Sequence, residues 1–181
     1  MPQPRKRNEK TPEEVLAKCR INTRPISLDK ILDHYHIQQV EMPAGDDVFG
    51  AIVRQNGRVV IAVNPNQHPN RRRFTIAHEL GHFFRHYQDV MEYVDGDFRV
   101  HWRDTESSSG VNWEEIEANR FAAALLMPEE MLKVDVNNCR VLDADAVQHL
   151  ATLYKVSRLA MQFRLINLGL LPPNVDPSAD F

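Results

Sequence analysis

The chain reads as an α+β fold, and three observations predict it. Residues 38–42, 48–54 and 58–64 are short runs rich in Val and Ile, the last two separated by Asn56-Gly57, a dipeptide suited to the positive-φ turn of a tight hairpin. The apolar period then changes from strand-like to helical: Ile76, Ala77, Leu80, Phe83, Phe84 and Tyr87 form one stripe at about 100° of turn per residue. From residue 113 onward, segments rich in Ala, Leu and Met read as further helices. These features predict a small antiparallel sheet packed on the long helix and on the helix that follows it, with a helical pair at the C-terminus.

Each element has a local justification. Residues 1–10 are polar, basic and Pro-containing, as in a flexible tail. Thr11-Pro12-Glu13-Glu14 starts a helix, with Pro at the first helical position and a Glu placed to close a capping box. A second short helix is expected over residues 27–36, followed by the three strands. Residues 113–128 contain strong helix formers and close on Pro128, with apolar side chains almost all the way round, so this helix should be buried. Beyond it, residues 145–154 and 158–168 read as two helices joined by Lys155-Val156-Ser157, with Ser157 as a cap and Gly169 as a terminator. The pair resembles a helix-turn-helix, with Arg158, Gln162 and Arg164 available on its second helix, but that helix has few cations for phosphate contacts. Packing on the core or recognition of a protein is favoured over direct DNA binding.

The long helix carries His78-Glu79-Leu80-Gly81-His82, the His-Glu-x-x-His spacing of a catalytic zinc site. Residues four apart lie one above the other on a helix, so both imidazoles can reach one metal while Glu79 projects beside them. The two histidines fall on roughly the opposite side from the apolar stripe. A chance pair is conceivable in a chain with 8 His, but chance must also place the Glu and leave the helical pattern unbroken. A hydrolytic zinc needs a third ligand and an open position for water. The extended three-histidine pattern fails, because its Gly and His places hold Arg85 and Gln88. His86 lies one turn beyond His82, and three ligands in line on one helix cannot surround a metal tetrahedrally. A carboxylate from the later helix remains: Glu115 shares a stripe with Asn119, Ala122 and Leu126 and would enter the interior, where it needs a cation. Glu114 and Glu117 are the competitors, readable as a solvated helix start.

Two blocks, Arg71-Arg72-Arg73-Phe74-Thr75-Ile76-Ala77-His78-Glu79-Leu80-Gly81-His82 and Glu115-x-x-Ala118-Asn119-x-Phe121-Ala122-Ala123-x-Leu125-Leu126-Met127-Pro128, resemble the ImmA/IrrE family of bacterial and phage metallo-endopeptidases. The resemblance runs from about Pro25 to Leu171. It implies a zincin-like core, one zinc ion (Zn2+) per chain on His78, His82 and Glu115, Glu79 as general base, and Asn119 orienting a ligand without binding the metal. It also implies a protein substrate, a helix-turn-helix repressor encoded nearby, whose cleavage relieves repression in a mobile-element or stress response.

The organisation expected is a tail over residues 1–10, a metallopeptidase domain over 11–135, a helix-turn-helix-like subdomain over 136–171 and a tail over 172–181. No apolar run is long enough for a membrane span, and Arg5-Lys6-Arg7 is not followed by an apolar signal region, which points to the cytoplasm. The net charge of −3 argues against generic nucleic-acid binding. Cys19 and Cys139 are far apart and read as reduced, partly buried thiols. The polar stretch after His86, with Asp95-Gly96-Asp97 and Ser107-Ser108-Ser109-Gly110, reads as a loop beside the site. His86, Tyr87, Tyr93 and His101 are candidate oxyanion donors. Arg71, Arg72 and Arg73 oppose the dipole at a helix start, so carboxylates of this chain or an acidic part of the substrate are expected to answer them. The competing function is a non-proteolytic DNA- or protein-binding regulator, an anti-repressor or toxin-antitoxin component, with a structural metal. Glu79 argues against it, because a structural site has no use for a general base.

Overall fold

The computed structural model describes residues 10–43, 49–55, 58–85 and 113–173. Along them run α1 (Pro12–Lys18), α2 (Leu28–His34), β1 (Ile37–Glu41), β2 (Gly50–Gln55), β3 (Arg58–Val63), α3 (Pro69–Arg85), α4 (Trp113–Leu126), α5 (Glu129–Asn137), α6 (Ala144–Tyr154) and α7 (Arg158–Asn167). The class is α+β, as expected. The capping box of α1 forms in both directions, Glu14 N–H donating to Thr11 Oγ1 at 3.2 Å and Thr11 N–H to Glu14 Oε2 at 2.9 Å. Ser27 caps α2, which ends at His34 because His36 turns left-handed, at φ 55°, to lead into β1.

The sheet corrects the antiparallel expectation. Its order is β1-β3-β2: β2 and β3 are antiparallel, but β1 runs parallel to β3, with Ile37 opposite Val59 and Glu41 opposite Val63. The two-residue connection pairs Gln55 with Arg58 and so fixes the antiparallel partner; the turn residues Asn56 and Gly57 lie outside the described residues. β1 then takes the other edge of β3. The reason lies in β3, where Ile61, Ala62 and Val63 are buried in succession, so both faces are covered, as in a central strand.

α3 is the axis of the molecule. Every residue from Thr75 to Phe84 is buried, the histidines as well as the apolar stripe, because β2, β3 and α2 cover parts of the helix while α4 packs along it more extensively than any other element. The sequence predicts one buried face; the fold buries the rest. Pro128 ends α4 as expected but also opens α5, which the sequence reading did not separate. The inward residues of α5 are only Leu132 and Asp135, with Met131 and Val136 partly buried, so its apolar pattern is weak. Asp135 forms an ion pair with Arg24 and accepts a hydrogen bond from the buried Tyr154 hydroxyl at 2.6 Å, joining the N-terminal segment, α5 and α6.

α6 and α7 bury Val147, Leu150, Ala151, Tyr154, Met161 and Leu165 in the same core as the sheet and α3. Lys155, left-handed at φ 53°, ends α6, and Ser157 Oγ caps α7 by accepting the Ala160 N–H at 3.1 Å. Gly169, at φ +69°, terminates α7 as expected. Of the three polar side chains that sequence makes available on α7, Gln162 is fully buried and Arg164 donates to the Met127 carbonyl at 3.1 Å. Cys19 and Cys139 are free thiols, half-buried.

Candidate metal centre

α3 and α4 meet at a contact only glycine allows. A Cβ built on Gly81 would lie 2.9 Å from both the Cα and the carbonyl oxygen of Ala118, well inside ordinary contact. With no side chain there, and only a methyl on the buried Ala118, the two backbones close up. Glu115, one turn before Ala118 and Asn119 on α4, is thereby brought to the histidine face of α3. Its Oε2 lies 3.2 Å from His78 Nε2 and its Oε1 3.0 Å from His82 Nε2, while the two Nε2 atoms are 2.9 Å apart.

These three groups could hold a metal ion, since their ligand atoms all lie within 4.8 Å of one another. The fit can be judged from coordination geometry. A tetrahedral zinc with bonds of about 2.0–2.1 Å separates its ligand nitrogens by roughly 3.3 Å, so the observed spacing needs only a small outward adjustment. Two imidazole nitrogens and a carboxylate is also a donor set that zinc accepts. Asn119 Oδ1 lies 3.0 Å from His78 Nδ1. Accepting the Nδ1–H there, it leaves the Nε2 lone pair of a neutral ring aimed at the cluster. Hydrogen bonds with the two histidines hold the Glu115 carboxyl well below the usual carboxylate range, against the opposing effect of its partial burial.

Glu79 is buried on the same helix as the two histidines without joining the cluster. A Cβ on Gly50 would sit 3.8 Å from Glu79 Oε1 and would overlap Thr75 Cγ2 at 2.4 Å, so Gly50 lets β2 pass directly over α3 at the general position of this carboxylate. Glu117, the competing carboxylate, instead forms an ion pair with Arg85 at 3.4 Å, and Glu114 is exposed. His86, Tyr87, Tyr93 and His101 lie outside the described residues. Of the arginines at the start of α3, Arg72 forms an ion pair with a carboxylate of this chain, as expected, and the other two meet a carbonyl and an aromatic ring. Arg72 pairs with Glu41 at 2.7 Å, Arg73 donates to the Ile26 carbonyl at 2.8 Å, and the Arg71 guanidinium stacks 4.3 Å over the Phe49 ring.

Two positioning residues escaped sequence reasoning, Gly50 and Gly81. The only sequence signal was a glycine within each regular element, which marks a close backbone approach without saying to what. Among protein families, Peptidase_M78, described as the IrrE N-terminal-like domain, matches residues 19–166. No curated protein matches the chain.

Proposed function

The chain belongs to the Peptidase_M78 family, and on that premise we propose that it is a zinc-dependent endopeptidase using His78, His82 and Glu115 as metal ligands and Glu79 as general base. The observation that carries this reading is the convergence of the three donors from two helices, with Glu79 held beside them and outside the cluster. Zinc bound there would supply Lewis-acid polarisation of the scissile carbonyl and a water acidified toward neutrality. Glu79 takes the proton of the attacking water and passes it to the leaving amine. Asn119 keeps His78 in the tautomer that ligates. β2, an edge strand paired only with β3 among the described residues, offers its free side to an extended peptide, with Gly50 at the end nearest Glu79.

The substrate proposed is a helix-turn-helix repressor encoded nearby, and the setting a mobile-element or stress response in the cytoplasm. No described helix is long and apolar enough to cross a membrane. α7 supports a protein partner over DNA: Leu159 and Phe163, one turn apart, are each 48% exposed, while Arg164 is tied to Met127. A phosphate-reading face needs the opposite arrangement.

The test is to co-express the native chain or Glu79→Gln with the neighbouring repressor and follow the repressor's length and new N-termini. Glu79→Gln is nearly isosteric and should keep its metal, yet lose on the order of a hundredfold or more in cleavage rate. Equal relief of repression by both versions, with the repressor intact, would establish a binding regulator instead.

A further inference from the structure

A second concave feature lies at the start of α3, before the metal ligands. It is a cavity of about 470 Å³ between α2, β1, the first turns of α3 and the α6–α7 turn, within the range usual for small-molecule sites. Three cations from separate places in the chain line it: Arg72, Arg73 and Lys155. Asp29 is the carboxylate of the lining.

The cations are incompletely answered. Arg72 has Glu41, itself largely exposed. Arg73 gives one Nη2–H to the Ile26 carbonyl and has the Asp29 carboxylate as a nearby countercharge; its Nε is buried with no hydrogen-bond partner, and burial pulls the pKa of its guanidinium down. Lys155 pairs with no carboxylate among the described residues and is held at the cavity by its left-handed turn. Asn70, in the first turn of α3, also lines the cavity, but the donors of that turn are already used: its N–H goes to His68 Nδ1, its side-chain amide to the Val156 carbonyl, and the Arg71 and Arg72 N–H groups to the His68 carbonyl. Ile26, Leu28 and Ile76 supply an apolar wall.

We propose that this cavity binds a hydroxyl-bearing phosphate monoester, its phosphate held by Arg72, Arg73 and Lys155 and its organic part on Ile26, Leu28 and Ile76. Arg73, which lines the cavity, contributes the charge of its guanidinium. Asp29, which would repel a bare anion placed against it, accepts a hydroxyl of the organic part. The volume agrees, because a phosphate ion alone would leave most of the cavity unfilled. The site is independent of the peptidase reading, since it uses none of its residues.

Site-resolved NMR tests the proposal on the metal-loaded full chain. Backbone amides of Asn70, Arg72, Arg73 and Lys155 are followed during titration with inorganic phosphate, with adenosine monophosphate, and with sodium chloride at matched ionic strength. Saturable shifts are expected at these amides with the two phosphate ligands and not with chloride. Lys155→Asn, which tolerates the left-handed backbone, should weaken both at least tenfold, and Lys155→Arg should retain binding. His78, His82 and Glu115 are unchanged in these variants, so a loss distinguishes this cavity from phosphate bound at the metal. Tenfold tighter binding of the nucleotide supports the proposal; equal affinities overturn the organic subsite and with it the monoester as occupant. Absent shifts, or shifts untouched by Lys155→Asn, overturn the proposal.

Discussion

Two glutamates two residues apart on α4 have different work, and the difference is measurable. Glu115 faces His78 and His82, whereas Glu117 faces Arg85. Glu115→Gln replaces the proposed anionic ligand with a neutral amide and should strip the purified protein of most of its metal, read by elemental analysis. Glu117→Gln loses a half-exposed pair worth about 0–1 kcal/mol and should keep a full complement. The reverse pattern would transfer the ligand role to Glu117. The preference for Glu115 was legible from its stripe with Asn119. What no stripe could supply is that both its oxygens are engaged, one by each histidine.

At the scale of elements, the fit of α3 against α4 decides whether His78, His82 and Glu115 meet. Gly81→Ala should gain up to about 1 kcal/mol in helix propensity, but the new methyl would press on the Ala118 backbone at 2.9 Å. Overpacking of this kind costs typically 1–3 kcal/mol, and backbone cannot swing aside as a side-chain tip can. The clash should win, lowering stability in urea and weakening zinc binding at least tenfold as Glu115 withdraws; a more stable variant with unchanged metal affinity would contradict the close approach. The join between α5 and α6 makes a pH-dependent prediction. Burial, reinforced by the hydrogen bond to Asp135, raises the pKa of Tyr154. The unfolded chain ionises this tyrosine near pH 10 while the fold keeps it neutral. Its contribution is therefore complete below about pH 10 and is lost as pH rises above that value toward the folded-state pKa. Tyr154→Phe should cost about 1.5–3 kcal/mol at neutral pH, as for a hydrogen bond to a charged group, and should show a shallower alkaline decline. Denaturant midpoints of both proteins between pH 8 and roughly 11 would reveal an unchanged slope if the assignment is mistaken.

For the whole molecule, a metal held as proposed by His78, His82 and Glu115 would belong to the folded state alone. Zinc at a hundred times its dissociation constant should stabilise the fold by about 2.7 kcal/mol. Dialysis against a chelator should accordingly lower the melting temperature, and added zinc should restore it; a melting curve indifferent to both would mean that the native fold does not bind metal. The same experiment on Glu115→Gln should show little response, linking the whole-molecule effect to one carboxylate.

The sequence by itself determined what is local. The α1 capping box, the hairpin register around a two-residue turn, the Ser157 cap, the Gly169 terminator and the four-residue spacing of His78 and His82 all depend on chain neighbours and helix geometry. The Glu115 candidate was also readable from its stripe with Ala122 and Leu126, although the structure buries only those two and leaves Glu115 half-buried and Asn119 exposed. Tertiary structure alone decided how the elements meet. Whether β1 joins β2 or β3 depends on which edge is free in space, and both parallel and antiparallel ladders satisfy the same backbone groups. α5 was not legible because its two inward residues, Leu132 and Asp135, are too few to make a periodic signal, and its place depends on contacts with the core. The roles of Gly50 and Gly81 became visible only with the neighbour in place: glycine has no side chain to advertise a partner, and the contact it permits is defined by the atoms of Thr75 and Ala118 on the other side.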